Sequence, residues 1–264
     1  ASLSFGTAGL RGTLGVGTNR MNIWVVRQAT QGIADWVKTK GGSQTVAISY
    51  DSRLKGWNFA RDAASVLAAN GIQVRLYDEL MPVPALSFAT RYYNCNAGIM
   101  ITASHNPAKY NGYKAYGADG CQVTDEDAAI VYAAIQKTDV LGGAKFMSFA
   151  EGVEKGLIRF VEDACKEAFY AAVESRQVRP GICKTAGLKL VYSPLNGTGL
   201  VPVTRVLKDI GIEDVTIVKE QEYPNGYFTT CPYPNPEIFE ALEKGLALAK
   251  ETGADLMLAT DPDA

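Results

Sequence analysis

Short apolar strands alternate with amphipathic helices along this chain, and they do so twice over. Thr45 to Tyr50 is an apolar run of strand formers, and Asn58 to Asn70 then sets Phe59, Ala63, Val66 and Leu67 on one helical face before Gly71 stops it. Gln73 to Tyr77 reads as a strand, Pro84 to Tyr93 as a helix opened by proline, and Ala97 to Ala103 as a nearly all-apolar strand. Asn111-Gly112 supplies a tight turn before a hairpin arm at Tyr113 to Tyr116, and Asp125 to Gln136 is helical. A first domain closes near Gly142-Gly143.

The alternation restarts after a long amphipathic helix spanning Leu157 to Glu174. Leu188 to Tyr192 is a strand and Leu200 to Ile210 a helix, followed by strand Asp214 to Val218. Pro236 to Thr252 is a helix with Phe239, Leu242, Leu246 and Ala249 inward, and Ala254 to Ala259 a last strand. The Pro-, Asn- and Gly-rich stretch from Tyr223 to Pro236 reads as a loop inside this second half. Strands separated by helices imply sheets with both faces covered. The expected fold is therefore α/β: two consecutive three-layer α/β/α domains with mostly parallel mixed sheets, over 1–150 and 151–264.

At 264 residues, 47% hydrophobic and 20% charged, the chain has the size for two cores and neither the polarity of a disordered chain nor the apolarity of a membrane protein. Net charge is −2 with no basic run, which gives nucleic acid no footing. No run reaches the roughly 18 apolar residues of a membrane span, and the first residues carry no targeting pattern, so a soluble, cytoplasmic protein is expected. Five scattered cysteines without a CxxC pair, and one histidine, argue against structural zinc and against a disulfide framework. The first residue is not Met and the last follow directly on an apolar strand, so a piece of a longer protein is expected.

Thr102-Ala103-Ser104-His105-Asn106-Pro107 follows the buried strand, which sets Ser104 at the carboxyl edge where open α/β sheets bind ligands. Ser104 is placed there for nucleophilic chemistry or for turn hydrogen bonds before Pro107. A hydrolytic Ser–His pair is disfavoured: neighbours on an extended chain point apart, and neither a G-x-S-x-G elbow nor a second histidine exists. Phe5 to Gly12 is a glycine-rich loop whose amides and Arg11 suit a phosphate, or a plain N-terminal turn. Ser193 to Gly199 joins a strand to a helix and reads chiefly as a structural turn. Asp261-Pro262-Asp263 ends a strand with two carboxylates spaced for a hard cation, or forms a turn. Lys114 alternates with Tyr113 and Ala115, directed at the Ser104 cleft or at solvent.

Taken in order, F-G-T-A-G-L-R-G, T-A-S-H-N-P, K-Y-N-G-Y-K and D-P-D resemble the signature loops of the α-D-phosphohexomutase family, most closely its phosphoglucomutase and phosphopentomutase branch. The resemblance covers that family's first two domains, including the S-P-L-N-G-T-G turn. It implies a phosphoryl group on Ser104, and Mg2+ held by Ser104, Asp261 and Asp263 with a third aspartate past Ala264. Arg11 and Lys114 or His105 are then expected to serve charge stabilisation and proton handling. The implied reaction interconverts a hexose 1-phosphate and a hexose 6-phosphate, glucose first, through a hexose 1,6-bisphosphate. The family's sugar- and phosphate-gripping later domains do not fall within these residues, so the chain alone is expected not to turn over. Phosphopentomutase and phosphomannomutase are alternatives, as is a non-catalytic sugar-phosphate binding module. A phosphatase reading of Asp261 as nucleophile is weaker, because that D-x-D motif usually opens a chain.

Overall fold

The computed structural model describes residues 2–264. The chain runs β1 (Leu10–Thr13), α1 (Ile23–Thr39), β2 (Thr45–Tyr50), α2 (Gly56–Ala69), β3 (Gln73–Leu76), α3 (Val83–Tyr92), β4 (Ala97–Ile101), β5 (Tyr110–Gly117), α4 (Asp125–Lys137), α5 (Phe149–Glu154), β6 (Ile158–Phe160) and α6 (Asp163–Glu174). It continues through α7 (Ile182–Ala186), β7 (Lys189–Ser193), α8 (Leu200–Asp209), β8 (Asp214–Ile217), α9 (Lys219–Glu222), α10 (Phe239–Thr252) and β9 (Leu256–Ala259). These elements form two units. One runs up to Tyr50 and includes Lys55–Ala103 and Lys109–Glu162; the other gathers Asp51–Leu54, Ser104–Ala108 and Asp163–Ala264.

The first unit holds a six-stranded sheet in the order β1-β5-β4-β2-β3-β6. Its β4, β2, β3 and β6 run parallel, while β5 and β1 are added antiparallel at one side. From β2 the chain steps out through α2 to β3, then returns over β2 through α3 to β4. Right-handed crossovers in opposite directions set α2 and α3 on opposite faces. The second unit repeats the winding in the order β8-β7-β9, all parallel: α8 carries the chain out from β7 to β8, and α10 brings it back across to β9. The α/β/α layers and mostly parallel mixed sheets are those the alternation implies.

The first core is built on α1 and α2, whose Val26, Ile33, Val37, Ala63 and Leu67 are fully buried with Val46 and Ile48 of β2. Each of these valine, leucine and isoleucine side chains contributes about 1.5–3 kcal/mol on burial. Asn22 caps α1 by accepting from the amides of Trp24 and Val25 at 3.1 Å. On its far side α1 lies close against α4: a Cβ on Gly32 would stand 2.5 Å from Ile135.

Other readings are corrected by packing. Asn111-Gly112 is no turn but lies inside β5, because Gly112 is squeezed between chains: an added Cβ would stand 2.4 Å from the Thr102 carbonyl oxygen and 2.8 Å from that of Leu10. Glycine there serves close backbone approach. The long helix expected over Leu157 to Glu174 breaks into β6 and α6; Gly156 takes φ +68, and Ile158 then pairs with Val74 of β3. The first unit accordingly extends to Glu162. Phe239 points outward at 65% exposure, and α10 instead buries Ala241 and Gly245. Gly245 sits where a Cβ would meet Met257 of β9 at 2.1 Å, so the helix rides low on the sheet. Among the described residues, no helix is long and apolar enough to cross a membrane.

Candidate active site

Ser104 and Asp261 occupy corresponding places in the two windings, each just past the strand that returns across its sheet (β4 and β9). Both fall in the second unit, where the Ser104 hydroxyl donates to Asp261 Oδ2 at 2.7 Å. Ser104 takes φ +54, a left-handed conformation that costs a side-chain-bearing residue on the order of 1–3 kcal/mol. That turn alters the reading of His105. The expectation that neighbouring side chains point apart assumes extended backbone; with Ser104 left-handed, the exposed His105 ring comes round to set Nδ1 3.4 Å from Ser104 Oγ. The contact is long beside the 2.7 Å bond to Asp261.

The loop is fastened from inside by residues that sequence reasoning missed. Arg53 is 3% exposed and donates to the carbonyl oxygens of Ser104 and Asn106 through Nη2 and of Pro107 through Nη1. Its Nε lies 3.3 Å from Asp51 Oδ2, both side chains being fully buried, and its guanidinium lies 5.1 Å from the centre of the buried Phe228 ring. Asp51-Ser52-Arg53 follows the wholly buried β2 as Ser104 follows β4, and that shared position was the available signal.

The Asp261 loop rests on the turn after β7. Leu195 and Asn196 adopt φ +46 and +58; the Asn196 side chain donates to the carbonyls of Glu220 and Tyr223; and the Thr198 amide donates to the Pro262 carbonyl at 3.0 Å. Gly197 permits the approach, since a Cβ there would stand 2.5 Å from Pro262 Cα. Ser193 to Gly199 is thus the strand-to-helix turn expected, and it shelves Asp263, which is 5% exposed.

Arg11 and Lys114 belong to the first unit. Arg11 lies on edge strand β1, not in a loop, opposite Gly112 of β5. Lys114 is two residues further along β5, so the pleat sets Arg11 and Lys114 on one face as diagonal neighbours. The preceding glycines close a turn in place of a phosphate cradle: the amides of Gly6 and Gly9 each donate to the other's carbonyl. Gly9, at φ +74, also presses on Tyr113, whose carbonyl oxygen an added Cβ would meet at 1.9 Å.

Among the described residues, no three His, Cys, Asp or Glu side chains gather as a metal cage. The donors that meet, Ser104 Oγ and an Asp261 carboxylate oxygen, are both hard, and Asp263 follows two residues on in the same short loop. A phosphoryl group on Ser104 would bring about −1.5 to −2 charge to within hydrogen-bonding range of the Asp261 carboxylate. Two such anions repel each other at that range, a cation between them would offset the repulsion, and oxygen donors suit magnesium. The donor set fits that ion.

Two consecutive α/β/α domains carrying these loops define the class of protein, and the comparisons specify it. Residues 2–141 match the family model for phosphoglucomutase/phosphomannomutase alpha/beta/alpha domain I, and residues 167–264 match that for domain II. The chain belongs to the phosphoglucomutase/phosphomannomutase family. It is 38% identical over 262 residues to a phosphoglucomutase of Staphylococcus saprophyticus, a match covering 99% of this chain and 47% of the relative. A Thermus thermophilus structure assigned as a phosphomannomutase superposes with a TM-score of 0.83 at 26% identity, over 100% of this chain and 56% of that one. A family protein from Burkholderia thailandensis shares the fold, with a TM-score of 0.77 at 24% identity over 98% of this chain and 52% of that one. The chain spans about half the length of the curated relatives it matches.

Proposed function

We propose that this chain supplies the phosphoryl-carrying half of a phosphohexomutase that interconverts glucose 1-phosphate and glucose 6-phosphate. The observation that carries the reading is the Ser104 hydroxyl, lifted out of the sheet edge by a left-handed turn and bonded to Asp261. In the proposed cycle the bond between Ser104 Oγ and phosphorus breaks, with Oγ taking up a proton, as the free sugar hydroxyl bonds that phosphorus and gives its own proton to His105 or Lys114. The resulting hexose 1,6-bisphosphate reorients, and its other phosphoryl group passes back to Ser104 Oγ, which loses its proton as the departing sugar oxygen gains one. Ser104, Asp261 and Asp263 would hold Mg2+, which when bound supplies Lewis-acid polarisation of the transferring group.

Proton handling falls to His105 or Lys114, and Arg11 offers a guanidinium to phosphoryl oxygens. Phosphoryl transfer needs alignment and charge stabilisation more than covalent help, which suits the backbone constraint on the Ser104 loop. The division of labour proposed has residues 1–150 contribute the phosphoserine loop, whose Ser104–Ala108 pack within the second unit, and residues 151–264 the metal loop. A small sugar phosphate is the partner, and the proposed compartment is the cytoplasm, since such charged molecules do not cross a bilayer unaided.

Intact-mass and peptide mapping of the full-length protein tests the reading, together with a glucose 1-phosphate to glucose 6-phosphate assay. About 80 Da on the Ser104 peptide with turnover supports it. An unmodified Ser104 after incubation with glucose 1,6-bisphosphate would sink it.

A further inference from the structure

The grip of Arg53 on the Ser104 loop differs from an ordinary buried ion pair. Its guanidinium collects three carbonyl oxygens from a four-residue stretch, Ser104, Asn106 and Pro107, while Asp51 stands 3.3 Å from Nε. A guanidinium offers five N–H groups in one rigid plane, so carbonyls gathered round it are fixed in direction as well as distance. Asp51 is fixed in turn, its Oδ1 accepting from the Arg53 amide at 3.0 Å. Behind the guanidinium stands the Phe228 ring, and at Gly226, bridged to Arg53, an added Cβ would stand 2.6 Å from the Leu54 nitrogen. The clamp has no slack.

Stability alone is a poor reason for such a pair. Removing two charges from water costs several kcal/mol per ion, and apolar replacements of buried pairs are often neutral or stabilising. What the clamp does supply is direction. The peptide planes along the loop are trans, like all those among the described residues. Each carbonyl turned toward Arg53 therefore turns the next amide away, so the His105 and Ala108 N–H groups face the side opposite the guanidinium. The same constraint holds Ser104 at φ +54, the conformation from which Oγ reaches Asp261.

We propose that Arg53, braced by Asp51, is a positioning residue for phosphoryl transfer at Ser104: it acts through the loop backbone and sets the direction in which the serine oxygen leaves the loop. The proposal rests on the mutase reading of Ser104. It does not require Arg53 to touch the sugar or the phosphate. An ammonium group has the charge but not the planar fork, so lysine cannot replace it.

The test uses the full-length protein as wild type and as Arg53→Met, Arg53→Lys and Asp51→Asn. For each, kcat and KM for glucose 1-phosphate are measured separately, with phosphate on Ser104 after loading by glucose 1,6-bisphosphate and the Tm. Arg53→Met is expected to lower kcat about 100-fold with KM changed less than about 3-fold, the size of effect that a displacement near 1 Å produces. Arg53→Lys should recover less than about a tenth of the lost rate, and Asp51→Asn should lower kcat about 10-fold. A folded Arg53→Met or Arg53→Lys protein with kcat within about 3-fold of wild type overturns the proposal and leaves the mutase reading standing. Loss of the folded state in all three variants assigns the pair to stability and also overturns it. A wild-type protein that neither turns over nor loads Ser104 removes the mutase reading, and this proposal with it.

Discussion

Ser104 donates its hydroxyl hydrogen to Asp261 at 2.7 Å across 157 positions of sequence. One bond thus joins the residue proposed to carry the phosphoryl group to a residue proposed to hold the metal. Replacing Ser104 with Ala in the full-length protein should abolish phosphate on that peptide and lower mutase turnover by about 10³-fold or more. Because Ser104 is only half-buried, Tm should change by a few degrees at most; turnover retained above a tenth of wild type would contradict the assignment.

Chelation should be equally damaging. Dialysis of the full-length protein against EDTA is expected to remove activity and added Mg2+ to restore it. Asp263→Asn should cost at least about 100-fold in kcat even at high Mg2+, as losing one fixed charge partner does elsewhere. An EDTA-treated enzyme that stays active would remove the ion from the mechanism.

Gly112→Ala should destabilise the first unit by about 1–3 kcal/mol, since the new methyl must displace the Thr102 or Leu10 carbonyl. Urea denaturation followed by tryptophan fluorescence reads this directly. An unchanged midpoint would show that the β1–β5–β4 junction has room to give.

Asn22→Ala removes the cap of α1 together with side-chain hydrogen bonds to the carbonyls of Gly15, Gly17 and Arg20. A loss of about 1–2 kcal/mol is expected, the range measured for strong helix caps. Asn22→Asp, which keeps the acceptor for Trp24 and Val25 but not the donor, should recover part of it in the same denaturation experiment.

Arg205 bonds Glu167 through both terminal nitrogens and so ties α8 to α6. The guanidinium holds the Glu167 carboxyl below the usual carboxylate range. A lowered folded pKa means stability that is fully present above the unfolded value, about 4.3, and is lost as pH falls through the folded one. Glu167→Gln should therefore show a smaller drop in Tm than wild type on acidification from about pH 6 to pH 3. Equal drops would show that solvent screens the pair completely.

The windings were legible because their strands are short, apolar and spaced by helices with clear faces: Phe59, Ala63, Val66 and Leu67 all lie buried where periodicity sets them. The family followed from the order of loops around Ser104 and Asp261. Illegible features depended on neighbours distant in sequence. Asn111-Gly112 has the composition of a turn, and only the backbones of Thr102 and Leu10 pressing on Gly112 make it strand. Ile158 becomes strand because β3 has an open edge for it. Arg53 looked like any arginine after a strand; its importance lies in three carbonyls more than fifty positions away.

The second unit is assembled from three separate stretches of chain, with Asp51–Leu54 and Ser104–Ala108 threaded in from the first half. It has no contiguous gene segment of its own. A truncation beginning at Asp163 would leave behind the arginine clamp and the serine together, and a swap of halves between relatives would mix the clamp of one parent with the aspartates of the other. During synthesis, too, the serine emerges long before Asp261 does, so the pairing on which chemistry is proposed to depend closes only after β9 has left the ribosome.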